Sequence, residues 1–408
     1  MTLPNFAENL KKYAALAVHT GVGVQPGDTV YLQIDTEQRE LAHLITAEAY
    51  AAGAAEVQLW WQDDTIARFD IAHMKESRLK HPSPDMAAKF KYWLKHHAKR
   101  ITVTSGDPDN LAGLDPRRIA DQQAGFRDAY APLIDAISSN QISWTIIGAA
   151  SKAWAKKVFP EALDPVDELW DAIFKTTRIY ADDPAAAWRK HDELLRHKAA
   201  WLNEQQFDAL HYTAPGTDLT VGLPEHHIWE GAGSFNPRGE EFMANMPTEE
   251  VFTAPDCRRI DGTVASTKPL SYAGTIIEGM HFTFMNGQVI RAHADRGDAV
   301  LQNLLMISGA RSLGEVSLVP DPSPISQSGI IFYNTLFDEN ASDHMALGMA
   351  YPFSVEGGVA MTDTQRQQVG LNVADTHVDF MMGSAETDID GIRADGSTVP
   401  IFRHGDWA

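Results

Sequence analysis

The chain has 408 residues, of which 44% are hydrophobic and 22% charged, a globular composition that excludes disorder and collagen-like repetition. Its 34 Lys+Arg against 55 Asp+Glu give a net charge of −21, which repels phosphate backbones and acidic lipid surfaces, so neither nucleic acid nor membrane is expected as a partner. One cysteine, Cys257, excludes an intrachain disulfide, and with no signal-like or membrane-spanning apolar run the chain reads as cytoplasmic.

Helical periodicity covers 6–18, and the turn Pro26-Gly27-Asp28 leads into a strand over 29–34. A helix over 37–52 stops at Gly53, and a strand follows over 56–61. Helices fill much of 62–99, including 86–97, and a strand over 101–105 ends at Gly106-Asp107-Pro108. Next come a helix over 117–138, a strand over 143–148, and helices over 164–176 and 184–205. Strands spaced by helices predict an α/β N-terminal domain with a mostly parallel sheet, residues 1–210. The basic run Lys95-His96-His97-Ala98-Lys99-Arg100 reads as a solvated helix end, since cations favour the C-terminal turn.

Beyond 210 the helix signals thin out. Short alternating strands are predicted over 218–222, 263–266, 274–277, 281–285 and 288–292, with Asn286-Gly287 as a hairpin turn between the last two. Helices remain over 297–310 and 363–368. The second domain, 211–408, is therefore expected to be α+β and β-rich. It also carries the acidity: residues 1–200 hold 24 basic and 27 acidic residues (−3), and 201–408 hold 10 and 28 (−18). Most of these carboxylates belong on a solvated surface, but any that are buried together need a cation to compensate them.

Three segments of this half carry chemistry. In Thr376-His377-Val378-Asp379-Phe380 the composition predicts a strand, so His377 and Asp379 share one face and Val378 and Phe380 the other. Such an N/O pair suits zinc, cobalt or manganese, or else forms a plain hydrogen-bonded pair on a sheet surface. In Asp338-Glu339-Asn340-Ala341-Ser342-Asp343-His344, acids crowd one histidine, and Tyr351 follows seven positions later. Two glutamates sit in apolar, strand-like settings: Glu250 before Val251-Phe252, and Glu315 within Leu313-Gly314-Glu315-Val316. A strand glutamate among such neighbours needs a compensating cation or an exposed edge. Together Glu250, Glu315, His344, His377 and Asp379 exceed what one catalytic zinc with an open position takes, and suit two divalent ions. Cys257 has no visible partner and is expected to be inert, and the adjacent His226 and His227 cannot chelate one ion from a strand.

The chain resembles the M29 metallopeptidases, the thermophilic-type bacterial aminopeptidases. The likeness rests on 6–14, on Gly216-Thr217-Asp218-Leu219, on 245–255, on Leu313-Gly314-Glu315-Val316, on 338–348 and on 377–383, in that order along the chain. It implies an aminopeptidase that uses two divalent ions, zinc or cobalt with manganese or magnesium as further options. It also implies a homodimer acting on peptides with a free N-terminus. The implied ligands are Glu250, Glu315, His344, His377 and Asp379, with Glu249 standing where the family commonly has glycine. Tyr351 is the implied catalytic tyrosine, stabilising the oxyanion, with Glu315 or Glu339 moving the proton. The same donor set also suits a different two-metal hydrolase, such as a phosphoesterase, or a non-catalytic metal- or peptide-binding protein.

Overall fold

The computed structural model describes residues 3–408. They divide into two compact units. The first comprises the chain up to Lys190 together with Gly233–Pro247, and the second comprises His191–Ala232 and Thr248–Ala408.

In the first unit, five parallel strands lie in the order Asn245–Met246, Trp144–Gly148, Lys99–Thr104, Thr29–Asp35, Glu56–Gln62. The helices between them follow from local signals. Gly53 takes a φ of +96° one residue past the cap of the Arg39–Ala51 helix, where a side chain would be strained. Asp63, Asp115 and Ser151 cap the helices Asp64–His73, Pro116–Ser138 and Lys152–Val158 with their side-chain oxygens. The fifth strand comes from the far side of the chain, from residues 233–247.

The basic run differs from its sequence reading. Only Lys95 of the run closes the helix Pro84–Lys95, and Lys99 opens a strand and is fully buried. Its ammonium lies 2.6 Å from Glu240 and 3.6 Å from Asp28, and Arg238 reaches the same two carboxylates. The partners come from distant sequence, so the run itself could not reveal them.

The second unit holds two antiparallel sheets. The larger, nine-stranded sheet includes the long hairpin Thr275–Met285 and Gln288–Arg296. The segments expected at 274–277 and 281–285 are thus one strand. Its turn is Asn286-Gly287, with φ of +48° and +79°, the left-handed pair of a tight hairpin. The helix expected over 297–310 is only Asp298–Leu304. The smaller sheet orders its strands His377–Met381, His344–Gly348, Leu313–Leu318, Val251–Thr253, Glu230–Gly231. One face of this sheet is core: Val251, Val316, Leu318, Met345, Leu347, Val378 and Phe380 are buried in one hydrophobic cluster. Among the described residues no helix is long and apolar enough to cross a membrane.

Candidate metal centre

The opposite face of that smaller sheet carries the polar groups. Register fixes which residues share it. Ser317 pairs with Phe252 on one side and His344 on the other, Glu315 pairs with Ala346, and Ala346 pairs with Asp379. Gly348 pairs with His377. Because alternate strand residues face alike, Glu315, Ser317, His344, His377 and Asp379 project together, and Glu250 joins them two residues before Phe252.

Glu315 reaches this face through an irregularity. Leu313 pairs with Leu347 on the core side, yet Glu315 pairs with Ala346 on the polar side, so Gly314 is an extra residue that switches faces. A Cβ on Gly314 would lie 2.3 Å from the carbonyl oxygens of both Gly348 and Met349. Only glycine fits this bulge. Simple alternation from Leu313 would have aimed Glu315 into the core.

The donor atoms converge. His344 Nε2 is 3.0 Å from Glu250 Oε2 and 3.6 Å from Glu315 Oε1. His377 Nε2 is 3.4 Å from Glu315 Oε2 and 3.5 Å from Asp379 Oδ1. Two groups therefore form, Glu250–Glu315–His344 and Glu315–His377–Asp379, each with its ligand atoms within 4.8 Å of one another. Glu315 belongs to both, and each of its oxygens faces a different imidazole. The second nitrogens of the rings face main-chain carbonyls: His344 Nδ1 is 3.1 Å from Ser342 O, and His377 Nδ1 is 2.7 Å from Met349 O. Those contacts place the ring N–H on Nδ1 and leave Nε2 as the lone-pair donor.

The electrostatics call for a cation. Glu250, Glu315 and His344 are buried, and no lysine or arginine among the described residues pairs with Glu250, Glu315 or Asp379. Burial opposes charge on both imidazoles, but the carboxylates around His344, and the Tyr351 and Asp379 groups beside His377, raise both well above the usual histidine range. Burial pushes Glu315 up, yet hydrogen bonds with His344 and His377 outweigh it and bring its carboxyl below the ordinary value. The same carboxylates that raise the imidazoles favour positive charge at Nε2, whether a proton or a metal ion carries it. The donor set, carboxylate oxygens with imidazole nitrogens, fits divalent ions in the same place.

Glu249 turns away from this cluster. Its Oε2 lies 3.2 Å from His191 Nε2, and its backbone N–H donates to Asn340 Oδ1 at 2.7 Å. Glu339 is buried beside the cluster but outside both ligand groups. Its burial and the nearby Asp379 and Glu250 hold its carboxyl well above the usual range. Tyr351 is partly buried, its ring 5.0 Å from the His377 ring and packed against Phe252 and Phe353. Its hydroxyl makes no hydrogen bond among the described residues, and burial raises its pKa. Asp343 instead accepts the Val319 N–H at 2.9 Å. Burial pushes the Cys257 thiol up to about 11. Ser317, absent from the sequence reading, donates to Glu250 Oε2 at 2.6 Å. Its place two residues after Glu315 on a strand was the available signal.

The profile of the thermophilic metalloprotease family M29 matches residues 6–407. The chain belongs to this family. It is 56% identical to aminopeptidase PepS of Streptococcus thermophilus and 48% identical to aminopeptidase AmpS of Bacillus subtilis, in both cases over the whole of each chain. The solved structure of wild-type AmpT from Thermus thermophilus superposes with a TM-score of 0.91 at 38% identity, covering 99% of this chain and 100% of that one. Membership agrees with the resemblance seen in the motifs, and it gives no support to a phosphoesterase or to a non-catalytic binding protein.

Proposed function

We propose that Glu250, Glu315, His344, His377 and Asp379 hold two divalent ions, and that at this centre the chain, a metal-dependent aminopeptidase, releases N-terminal residues from peptides. The observation that carries this reading is the Glu315 carboxylate, shared by both ligand groups with one oxygen toward each imidazole. A shared carboxylate between two donor groups is the arrangement a pair of ions requires. Zinc or cobalt suits the mixed imidazole and carboxylate set, with manganese or magnesium favoured only by its oxygens. Bound there, such ions polarise a peptide carbonyl and activate water near neutral pH.

The remaining tasks fall to the chain's own side chains. Both oxygens of Glu315 are committed to the ligand groups, so carriage of a proton to the leaving amine falls to Glu339, which stands beside them and belongs to neither. The Tyr351 hydroxyl, without a hydrogen bond among the described residues and next to His377, donates to the developing oxyanion. Phe252 and Phe353 hold that ring in place. A phosphate substrate would need basic groups that this cluster lacks among the described residues. The family resemblance extends the proposal to a homodimer acting in the cytoplasm.

Chelation tests it. Dialysis against a chelator should abolish hydrolysis of an amino-acid arylamide, and Co²⁺ or Zn²⁺ should restore it with two ions per chain. Full activity in metal-free protein would end the proposal.

A further inference from the structure

A metal ligand is aimed by whatever grips its other polar atom. For both imidazoles here that grip is main chain, the carbonyls of Ser342 and Met349. Glu250 is different: a side-chain hydroxyl, that of Ser317, holds its Oε2 at 2.6 Å. Ser317 is completely buried, so no solvent competes for that hydroxyl. It sits in the central strand with Phe252 opposite it on one side and His344 opposite it on the other. That register puts the hydroxyl between the strand leading from Glu250 and the strand that carries His344. Its sequence neighbours Val316 and Leu318 both point into the core, so the hydroxyl itself faces the ligand side, where it meets Glu250.

We propose that Ser317 is the positioning residue for Glu250, and that its hydroxyl sets the affinity for the ion held by Glu250, Glu315 and His344. The proposal rests on the two-ion reading above. The Glu250 oxygen that meets Ser317 also lies 3.0 Å from His344 Nε2. With the hydroxyl in place, this oxygen has a fixed donor whether or not the imidazole is proton-bearing. Without it, a buried carboxylate oxygen loses its one neutral donor, and the carboxylate is free to turn toward His344 alone. The hydroxyl's hydrogen bond goes to Glu250, which is not in the second group, Glu315–His377–Asp379, so that group depends on Ser317 through the shared Glu315.

The test compares Ser317→Thr with Ser317→Val, which have the same shape and differ in the hydroxyl. Each full-length protein is loaded with Co²⁺, titrated with a chelator, and followed by the visible absorption of Co²⁺ and by the number of ions released. The parent and Ser317→Thr should release both ions alike. Ser317→Val should release one of its two ions at roughly 10–100-fold lower chelator concentration, with the other little changed. Superimposed curves for the two variants would overturn the role of Ser317. If the added methyl group prevents folding, as judged by circular dichroism in excess chelator, Ser317→Ala against the parent gives the same comparison with nothing added to the core. A parent protein that takes up fewer than two ions would instead sink the two-ion reading itself, so the two failures are distinguishable.

Discussion

Tyr351 owes its position to neighbours that the sequence shows poorly. It lies just beyond the end of the His344–Gly348 strand, and its ring stacks on Phe353 with centroids 5.2 Å apart. Phe252, two residues from Glu250, completes the packing edge-on. The ring is therefore fixed while the hydroxyl makes no hydrogen bond among the described residues. Tyr351→Phe keeps the packing and deletes only that donor. It should lower kcat by about 10²–10³-fold, the usual loss for one oxyanion donor, with KM and metal content close to native. Steady-state kinetics and metal analysis on the same preparation check this. Loss of metal along with activity would show the hydroxyl to be structural instead. At this scale the sequence was informative wherever two partners lay close in the chain. His377 and Asp379, two apart on a strand, share a face as their spacing predicts. Glu250, Glu315 and His344 sit on or beside three different strands, and spacing could not bring them together. Donor type in the acidic half, and then the family motifs, tied them into one set.

At the level of elements, strand positions were legible from alternation, and strand pairing was not. The segment Leu313-Gly314-Glu315 shows why. Strict alternation places Leu313 and Glu315 on the same face, which is false here because Gly314 is an inserted residue in the pairing with His344–Gly348. The bulge is a tertiary event: it exists because the Gly348 and Met349 carbonyls press against the position where a Cβ would stand. Gly314→Ala should force the strands apart or undo the bulge, and either change turns Glu315 from its place. The expected result is loss of both ions from the purified protein and a stability decrease of about 1–3 kcal/mol from overpacking. Metal analysis and thermal unfolding with and without added Zn²⁺ read the two effects separately. A variant that holds two ions with a native melting temperature would show that the bulge does not aim Glu315.

Over the whole molecule, the chain departs from a simple succession of halves. Residues 233–247 leave the second unit and add the strand Asn245–Met246 beside Trp144–Gly148, and the chain returns at Thr248, two residues before Glu250. No composition shift marks this excursion; besides its strand pairing, it is held by a buried lysine whose partner, Glu240, lies 141 residues further along. Lys99 also donates to the Gly23 carbonyl, and Asn236 and Arg238 gather on the same Glu240 carboxylate. Lys99→Met keeps much of the apolar stem and removes the charge from a fully enclosed position. Breaking a buried pair by deleting one partner costs about 3–5 kcal/mol, because the surviving charge is left uncompensated. Arg238 still reaches both Asp28 and Glu240, so the loss should fall toward the lower end of that range. Urea unfolding measures it, and limited proteolysis locates it: cleavage within 233–247 should accelerate while the rest of the chain resists as before. An unchanged midpoint together with an unchanged cleavage pattern would mean that Arg238 and Asn236 hold the excursion by themselves, and that the buried ammonium adds nothing to its attachment.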